Sequence, residues 1–297
     1  ELFWYDDPIY FRRPIEGGAA GAGHRRVLAF EGANYHTQLW LDDQPLGQHE
    51  GGFTPFAVDV TQQLADGAVH GLTAVVDSRH HPEAVPTDYT DWHNYGGITR
   101  SVWLVDLPPT WIADWFVRLD GEMVRVDVEL AGAQPAGQAI AVALGALRLE
   151  GRTDASGRVS LAARRPRRLA LWSPEAPVLH DLAISGGGDA IAERVGLRTI
   201  ATRGREVLFN GAPIYLRGIS LHEEPIGPVG KRRMTEADAR RLLEEAKALG
   251  CNFVRLAHYP HSEATLRVAD ELGLIVWAEV PVYWEHIRYD SAHTLAL

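Results

Sequence analysis

Apolar and polar residues alternate with a period of two through roughly the first hundred positions. The clearest run lies in "RRVLAFEGANYHTQLWLDDQPLG", where the alternating positions are Tyr35, Thr37, Leu39 and Leu41. This period is typical of a strand with one buried face, and the Asp-Asp-Gln-Pro sequence at 42–45 follows it as a turn. Further short runs, separated by glycine and proline, predict a sandwich or jelly roll over residues 1–108.

Two adjacent prolines, Pro108 and Pro109, mark the end of this first segment. Residues 109–202 return to strand-like runs, with turn signals at Asp120-Gly121 and at the three glycines 186–188. A segment of roughly 90 residues built from short strands is typical of a small immunoglobulin-like β-sandwich.

The hydrophobic period changes from two to about 3.6 in the last third of the chain. Two helices are predicted, in "TEADARRLLEEAKALG" and "SEATLRVADELG", and they alternate with the apolar strands "PIYLRGISL", "NFVRLA" and "LIVWAEV". Thr235, with Asp238 three residues later, is predicted to cap the start of the first helix, and Gly250 to end it. Ser262 is predicted to cap the second helix, and Gly273 to end it. This order predicts a parallel α/β layer over residues 203–297.

Three parallel strands with two helices do not complete such a layer. A parallel sheet needs both faces covered, and an eight-stranded barrel needs about 250 residues. We therefore expect the chain to represent a piece of a longer structure that continues after Leu297. It also begins at Glu1 inside a strand-like run, without a methionine, so we expect the true N-terminus to lie upstream.

Composition limits the partners more than the fold. The formal net charge is −10, and 46% of residues are hydrophobic. An acidic balance disfavours nucleic acid or an anionic membrane as a partner, because both require a basic face. The apolar runs have the length of strands, so no membrane span is predicted. A single cysteine, Cys251, excludes an intrachain disulfide, and leaves the location open between cytoplasm and periplasm.

Polar side chains follow each predicted parallel strand at the point where its apolar run ends. Sites in parallel α/β structures form at the carboxyl ends of strands. The residues at these ends are His222, Glu223 and Glu224, then Arg255 and His258, then Glu279 and Tyr283. Any one of them alone would be interpreted as a satisfied structural group. Their occurrence at three successive strand ends indicates a site.

Two other kinds of chemistry are weaker interpretations. A metal site made from His222, Glu223 and His258 lacks a tight ligand spacing such as HExxH and has no cysteine partner. A nucleophilic Cys251 would lie at a helix-to-strand turn without a recognisable base beside it. No resident metal is expected on this basis.

Four long stretches of the chain carry a more specific signal. In order, they are "WLDDQPLGQHEGGFTPFAVDVT", "TDWHNYGGITRSVWL", "FNGAPIYLRGISLHEE" and "NFVRLAHYPHSEATLRVADELGLIVW". They resemble glycoside hydrolase family 2, the β-galactosidase and β-glucuronidase group. The resemblance implies a multidomain β plus α/β fold. Its parts would be a jelly-roll sugar-binding domain (1–108), an immunoglobulin-like β-sandwich (109–202) and the first three strands of a TIM (β/α)8 barrel (203–297).

The resemblance also implies roles for individual residues. Asp91 matches an aspartate that reaches from the first domain into the sugar pocket, and Asn94 lies close to it as a further substrate-binding residue. His222 and His258 match histidines that hydrogen-bond sugar hydroxyls, and Arg255 matches an arginine that supports the nucleophile carboxylate. The implied reaction is hydrolysis of a terminal β-linked sugar with retention, which requires no cofactor.

The chain departs from the family pattern at the chemistry itself. The family uses two glutamates: an acid/base that follows an asparagine on the fourth barrel strand, and a nucleophile at the end of the seventh. No Asn-Glu dipeptide occurs in the chain, and the predicted barrel strands number three. Glu223, Glu224 and Glu279 lie on other strands and are not expected to replace these glutamates. The Glu/His metal pair of some β-galactosidases is not matched either, because "VPVYWEH" stands in its place.

Both catalytic glutamates are therefore expected to be absent, and the chain alone is expected to be inactive. One alternative is a non-catalytic carbohydrate-binding protein, and another is a barrel whose remaining strands are supplied by a separate chain. The partner expected in each case is a carbohydrate with a terminal β-linked sugar. Assembly into a homo-oligomer and the identity of the sugar remain open.

Overall fold

The computed structural model describes residues 7–18, 20–224, 234–282 and 287–297. Tyr283, which was expected at the end of the third parallel strand, lies outside these described residues.

The first group of strands forms two antiparallel sheets and a short two-stranded ladder. The strands are β1 Ile9–Glu16, β2 Arg25–Phe30, β3 Ala33–Asn34, β4 His36–Leu41, β5 Gln44–Glu50, β6 Phe56–Asp59, β7 Val69–Asp77, β8 Gly97–Ile98 and β9 Val102–Leu107. Their orders are β1-β7-β4-β5, β6-β2-β9 and β3-β8. Neighbouring strands are often distant in sequence, as expected for a jelly roll.

Strand β4 shows how the sequence pattern produces this sandwich. Thr37, Leu39 and Leu41 are buried, whereas the residues between them are partly exposed. Leu39 and Leu41 pack in one core with Leu28 and Phe30 of β2. Two residues join β4 to β5, and Asp42 there has a φ of 51°, a conformation that Asp tolerates in tight hairpins. The predicted alternation and turn are confirmed.

A second group of strands forms another sandwich. The strands are β10 Thr110–Asp120, β11 Met123–Gly132, β12 Ala139–Leu144, β13 Leu147–Arg152, β14 Arg158–Arg164, β15 His180–Gly186 and β16 Asp189–Val195. Their sheets have the orders β10-β11-β14 and β13-β12-β15-β16. Strand β11 buries every second side chain, from Val124 to Leu130. These side chains pack with Ile140, Val142 and Ile184 of the facing sheet.

The remaining described elements lead from a small antiparallel sheet into a parallel one. The strands are β17 Ile200–Arg203, β18 Glu206–Phe209, β19 Ala212–Pro213, β20 Gly218–Leu221, β21 Phe253–Leu256 and β22 Ile275–Ala278, with α1 Glu236–Ala248, α2 Glu263–Leu272 and a 3₁₀ turn Thr294–Ala296. Strands β20, β21 and β22 are parallel neighbours in that order, with α1 and α2 as the connections. The predicted strand–helix–strand–helix–strand order is confirmed.

Both helices end where the sequence predicts, but only α1 has the side-chain cap that was predicted at its start. Thr235 and Asp238 form a reciprocal capping box at α1. At α2, Ser262 occupies the N-cap position but its side chain makes no cap hydrogen bond. Its hydroxyl lies 3.1 Å from that of Thr265 instead. Gly273 ends α2 in the left-handed conformation, with a φ of 76°.

The second sandwich and the parallel layer are joined by a buried tryptophan. Trp172 is fully buried, and its indole N–H donates to the carbonyl oxygen of Asp270 on α2 at 2.8 Å. The guanidinium group of Arg198 lies 4.5 Å from the centre of the same indole ring, and it also pairs with the Asp270 carboxylate at 2.8 Å. This contact fixes the back of α2 against the sandwich.

The fold class expected from the sequence is confirmed: a jelly roll, an immunoglobulin-like sandwich and three parallel strands of a barrel. The limits proposed for these domains remain predictions. Within the part of the chain that the structure describes, no helix has the length and hydrophobicity needed to cross a membrane.

Candidate active site

The carboxyl ends of the three parallel strands bring the predicted polar residues to one rim. Ser220, Arg255 and Trp277 are register partners across β20, β21 and β22. His222 therefore follows the end of β20, next to the segment that follows β21. Glu279 comes directly after β22. The spacing that suggested a site in the sequence thus corresponds to real proximity.

Arg255 is held by the carboxylate of Glu279. Its Nε donates to Glu279 Oε1 at 2.6 Å, and its second nitrogen donates to Oε2 at 3.1 Å. Burial alone raises the pKa of Glu279, but the hydrogen bonds and charges of Arg255 and His258 outweigh it and hold this pKa below the ordinary value. Glu279 is therefore ionised at neutral pH, and a bidentate pair of this kind fixes the guanidinium plane.

His258 shares both of these partners. Its Nδ1 lies 3.1 Å from the Arg255 guanidinium and 3.1 Å from Glu279 Oε2. A single ring nitrogen cannot accept from an arginine and donate to a carboxylate at once. Nδ1 therefore donates to Glu279 when it carries the proton and accepts from Arg255 when it does not. The imidazole also lies beside Trp92 of the jelly roll, with ring centres 5.1 Å apart.

His222 is the member of the group with an unsatisfied atom. Its Nδ1 is buried and has no hydrogen-bond partner among the described residues. Burial lowers the pKa of His222 below its ordinary value, although the charges of Glu224 and Asp91 oppose this. Its ring stands edge-on to His258, with centres 5.3 Å apart. A neutral imidazole with an unused buried nitrogen is suited to receive a hydrogen bond from, or donate one to, a ligand.

The jelly-roll loop that precedes β8 contributes Asp91 and Asn94. Asp91 is exposed, and its charge acts on His222 across the two parts of the chain. The side chain of Asn94 accepts from the Trp92 indole N–H at 3.1 Å and donates to Thr90 Oγ1 at 2.9 Å. In this arrangement, Asn94 fixes the loop that places Trp92 against His258.

Two residues at the contact between the jelly roll and the parallel sheet, called the junction below, were not singled out from the sequence. Arg100 donates to Glu223 Oε2 and to the Pro260 carbonyl oxygen, each at 2.5 Å. The Tyr259 ring stacks on Phe53 with centres 4.0 Å apart. Both Arg100 and Tyr259 lie within stretches that resemble the family, "GGITR" and "HYP". The signal available in the sequence was a basic residue in the first stretch, Arg100, and an acidic residue after the first parallel strand, Glu223.

Two protein-family models match the sequence, one over the jelly roll and one over the parallel layer. The model described as "Glycosyl hydrolases family 2, sugar binding domain" matches residues 7–108. The model described as "Glycosyl hydrolases family 2, TIM barrel domain" matches residues 200–289. The chain belongs to glycoside hydrolase family 2. The family recognised from the four sequence stretches is therefore confirmed.

Curated relatives in family 2 match nearly the whole chain, but the chain matches less of them. A putative β-glucuronidase of Formosa agariphila is 30% identical over 279 residues, which is 86% of this chain and 32% of that protein. A β-galactosidase of Thermoanaerobacter pseudethanolicus is 29% identical and matches 97% of this chain and 41% of its own length. The chain thus spans about a third to half of such relatives.

Solved structures of family 2 enzymes show the same partial overlap. The β-glucuronidase of Lactobacillus rhamnosus is 25% identical, with a TM-score of 0.79 over 93% of this chain and 50% of that one. The Parabacteroides merdae β-glucuronidase is also 25% identical, with a TM-score of 0.80 over 94% of this chain and 38% of that one. The roles assigned to Asp91, Asn94, His222, Arg255 and His258 stay predictions.

Proposed function

We propose that the chain forms the sugar-recognising N-terminal part of a retaining exo-β-glycosidase of β-galactosidase or β-glucuronidase type. The observation that carries this proposal is the rim at which His222, Arg255, His258 and Glu279 meet the jelly-roll loop of Asp91. The family membership and the names of the relatives support the same class of substrate, a terminal β-linked sugar.

The groups at the rim match what a pyranose ring offers. Vicinal hydroxyls are bound by a carboxylate such as Asp91 and by imidazole rings such as those of His222 and His258. Trp92 is buried beside His258, with ring centres 5.1 Å apart, and would support that imidazole from the protein side. Glu279 fixes the plane of the Arg255 guanidinium, and the remaining N–H donors would point toward the carboxylate that attacks the anomeric carbon.

The chain contains no Asn-Glu dipeptide, and this favours a second candidate for the chain taken by itself. A pocket with the binding groups but without the two catalytic glutamates would act as a carbohydrate-binding protein. In that case the purified chain binds β-glycosides and does not hydrolyse them.

Ligand-observed NMR on the purified chain tests the proposal. Methyl β-galactoside and methyl β-glucuronide are the probes, with methyl α-mannoside as the comparison sugar. We expect binding of at least one β-glycoside, weakened tenfold or more in Asp91→Asn and in His222→Gln. Asp120→Asn, an exposed carboxylate at the end of β10, is the matched control and should bind as the wild type does. Binding that is equal in all variants would refute the pocket.

A turnover assay on the same preparation separates the two candidates. With p-nitrophenyl β-galactoside and β-glucuronide, we expect no release of nitrophenol by the chain alone. Sustained hydrolysis that disappears in His258→Gln would contradict the predicted absence of catalytic carboxylates and would favour an active enzyme.

A further inference from the structure

Two histidines from distant parts of the chain converge on one carboxylate. Glu50 ends β5, His81 lies in the loop after β7, and His293 precedes the final 3₁₀ turn. His81 Nε2 lies 2.7 Å from Glu50 Oε1, and His293 Nε2 lies 3.1 Å from the same carboxylate. The sequence separations of 31 and 243 residues explain why no ligand spacing was visible in the sequence.

We propose that Glu50, His81 and His293 form a binding site for a divalent ion of the Zn²⁺ class, which ties the C-terminal segment to the jelly roll. One ligand atom from each of the three residues lies within 4.8 Å of the other two. In a tetrahedral zinc site with bonds of about 2.0–2.1 Å, ligand atoms lie about 3.3 Å apart. Small side-chain rotations therefore suffice to place all three around one ion.

The chemistry of the three donors indicates the class of ion. Two imidazoles and one carboxylate suit Zn²⁺, Co²⁺ or Ni²⁺, whereas Ca²⁺ and Mg²⁺ prefer oxygen ligands alone. Three protein ligands leave a fourth position for water. The side chains are partly open to solvent, with 20% of Glu50 and 44% of each histidine exposed, so an ion has a route to the site.

The surroundings hold the ligands in place without the ion. The ring of Tyr35, which is buried, stands edge-on to His81 with centres 6.2 Å apart. Ser291 Oγ donates to Glu83 Oε1 at 2.6 Å, and Thr294 Oγ1 donates to the Glu83 carbonyl oxygen at 2.8 Å. The segment that carries His293 is thus already docked on the loop that carries His81.

Several hydrogen bonds must change when the ion binds. The backbone N–H of Glu83 donates to His81 Nδ1 at 3.3 Å, which puts the ring proton on Nε2 in the neutral form. A metal at Nε2 requires that proton to move to Nδ1, so this long hydrogen bond is given up. The hydrogen bonds from the two Nε2 atoms to Glu50 are given up as well, and bonds from all three side chains to the metal replace them.

Calorimetric titration of the tag-free, chelator-treated chain with ZnCl₂ tests the site. We expect one ion per chain, with affinity at least tenfold weaker in His293→Gln and in His81→Gln. Glutamine keeps an N–H donor for Glu50 but is a poor zinc ligand, so these variants retain the fold while losing the site. His70→Gln is the matched control, because both nitrogens of His70 already face carboxylates, Asp42 and Asp66, at 2.8 Å.

Thermal unfolding gives an independent measurement. Zn²⁺ is expected to raise the midpoint of the wild type and of His70→Gln, and to leave His293→Gln unchanged, because a ligand that binds only the folded state stabilises it. Absence of saturable heat in the wild type would overturn the proposal. So would variants at both histidines that bind zinc as tightly as the wild type, since the ion would then be bound by other residues.

Discussion

At the scale of single residues, Arg100 joins three parts of the polypeptide through one guanidinium group. It donates to the Phe53 carbonyl oxygen in the jelly roll, to the carboxylate of Glu223 after β20 and to the Pro260 carbonyl oxygen after β21. Glu223 Oε1 in turn accepts from the Ser262 backbone N–H. The side chains of Arg100 and Glu223 are only 11% and 10% exposed, so neither charge is well solvated by water.

Removing one member of this pair should cost much more than removing a surface ion pair. Arg100→Ala leaves the Glu223 carboxylate buried without its countercharge, which typically costs about 3–5 kcal/mol. The control is Arg164→Ala, whose exposed pair with Glu122 should change stability by less than about 0.5 kcal/mol. Urea unfolding followed by tryptophan fluorescence measures both. Equal midpoints for the two variants would show that the buried pair does not stabilise the junction.

A buried histidine makes the free energy of unfolding depend on pH. His261 is 8% exposed, and burial lowers its pKa below the ordinary value even though its ring hydrogen-bonds to the Ala257 carbonyl oxygen. As pH falls below about 6.5, the unfolded chain takes up a proton that the folded chain resists, so unfolding becomes easier. Each such histidine contributes at most about 1.4 kcal/mol per pH unit.

His261→Gln should therefore flatten the loss of stability between pH 7.5 and 5.5, because glutamine keeps a donor for Ala257 but does not titrate. Urea midpoints measured across this range give the two slopes. Burial also lowers the pKa of His80. Because His80 still titrates in the variant, part of the pH dependence of stability remains. An unchanged slope would contradict the role of His261.

At the scale of elements, the two helices of the parallel layer differ at their first residue. The capping box of α1 satisfies backbone N–H groups from both Thr235 and Asp238. At α2, the Ser262 hydroxyl contacts another side chain instead. We expect Thr235→Ala to lower stability by about 1 kcal/mol and Ser262→Ala by clearly less. Chemical unfolding of the two variants side by side checks this, and the reverse order would be inconsistent with the cap geometry.

The strand before the first helix is shorter than its apolar pattern predicts. The run "PIYLRGISL" indicates one strand, but β19 ends at Pro213 and β20 starts at Gly218. Between them, the side chain of Asn252 accepts from the Arg217 N–H at 2.8 Å and donates to the Tyr215 carbonyl oxygen at 3.0 Å. A side chain 35 residues away thus replaces a strand partner, which a local pattern does not reveal.

At the scale of the whole molecule, the parallel sheet ends in a strand with one pairing partner in the described residues. β22 pairs with β21, and Trp277 and Val280 nearby are 58% and 66% exposed. Unpaired strand edges with apolar side chains promote association. The chain by itself is therefore expected to self-associate through this edge.

Trp277→Lys should shift the purified chain toward the monomer, because a charge on the edge opposes strand pairing. Sedimentation velocity over a range of concentrations measures the association. Phe116→Lys, which changes an aromatic residue that is 60% exposed on β10, is the matched control and should associate as the wild type does. An equal effect of both variants would indicate a general loss of hydrophobic surface instead of a specific edge.

The sequence by itself determined the strand and helix order, the cap of α1, the stop at Gly273 and the placement of His222, Arg255 and His258 at strand ends. These features depend on residues close together in the chain, so their periods and turn signals are local. Only the tertiary structure decided that Glu279 holds Arg255, that Arg100 binds Glu223, and that Glu50, His81 and His293 meet. Those contacts join side chains far apart in sequence, and their existence depends on how separate sheets pack.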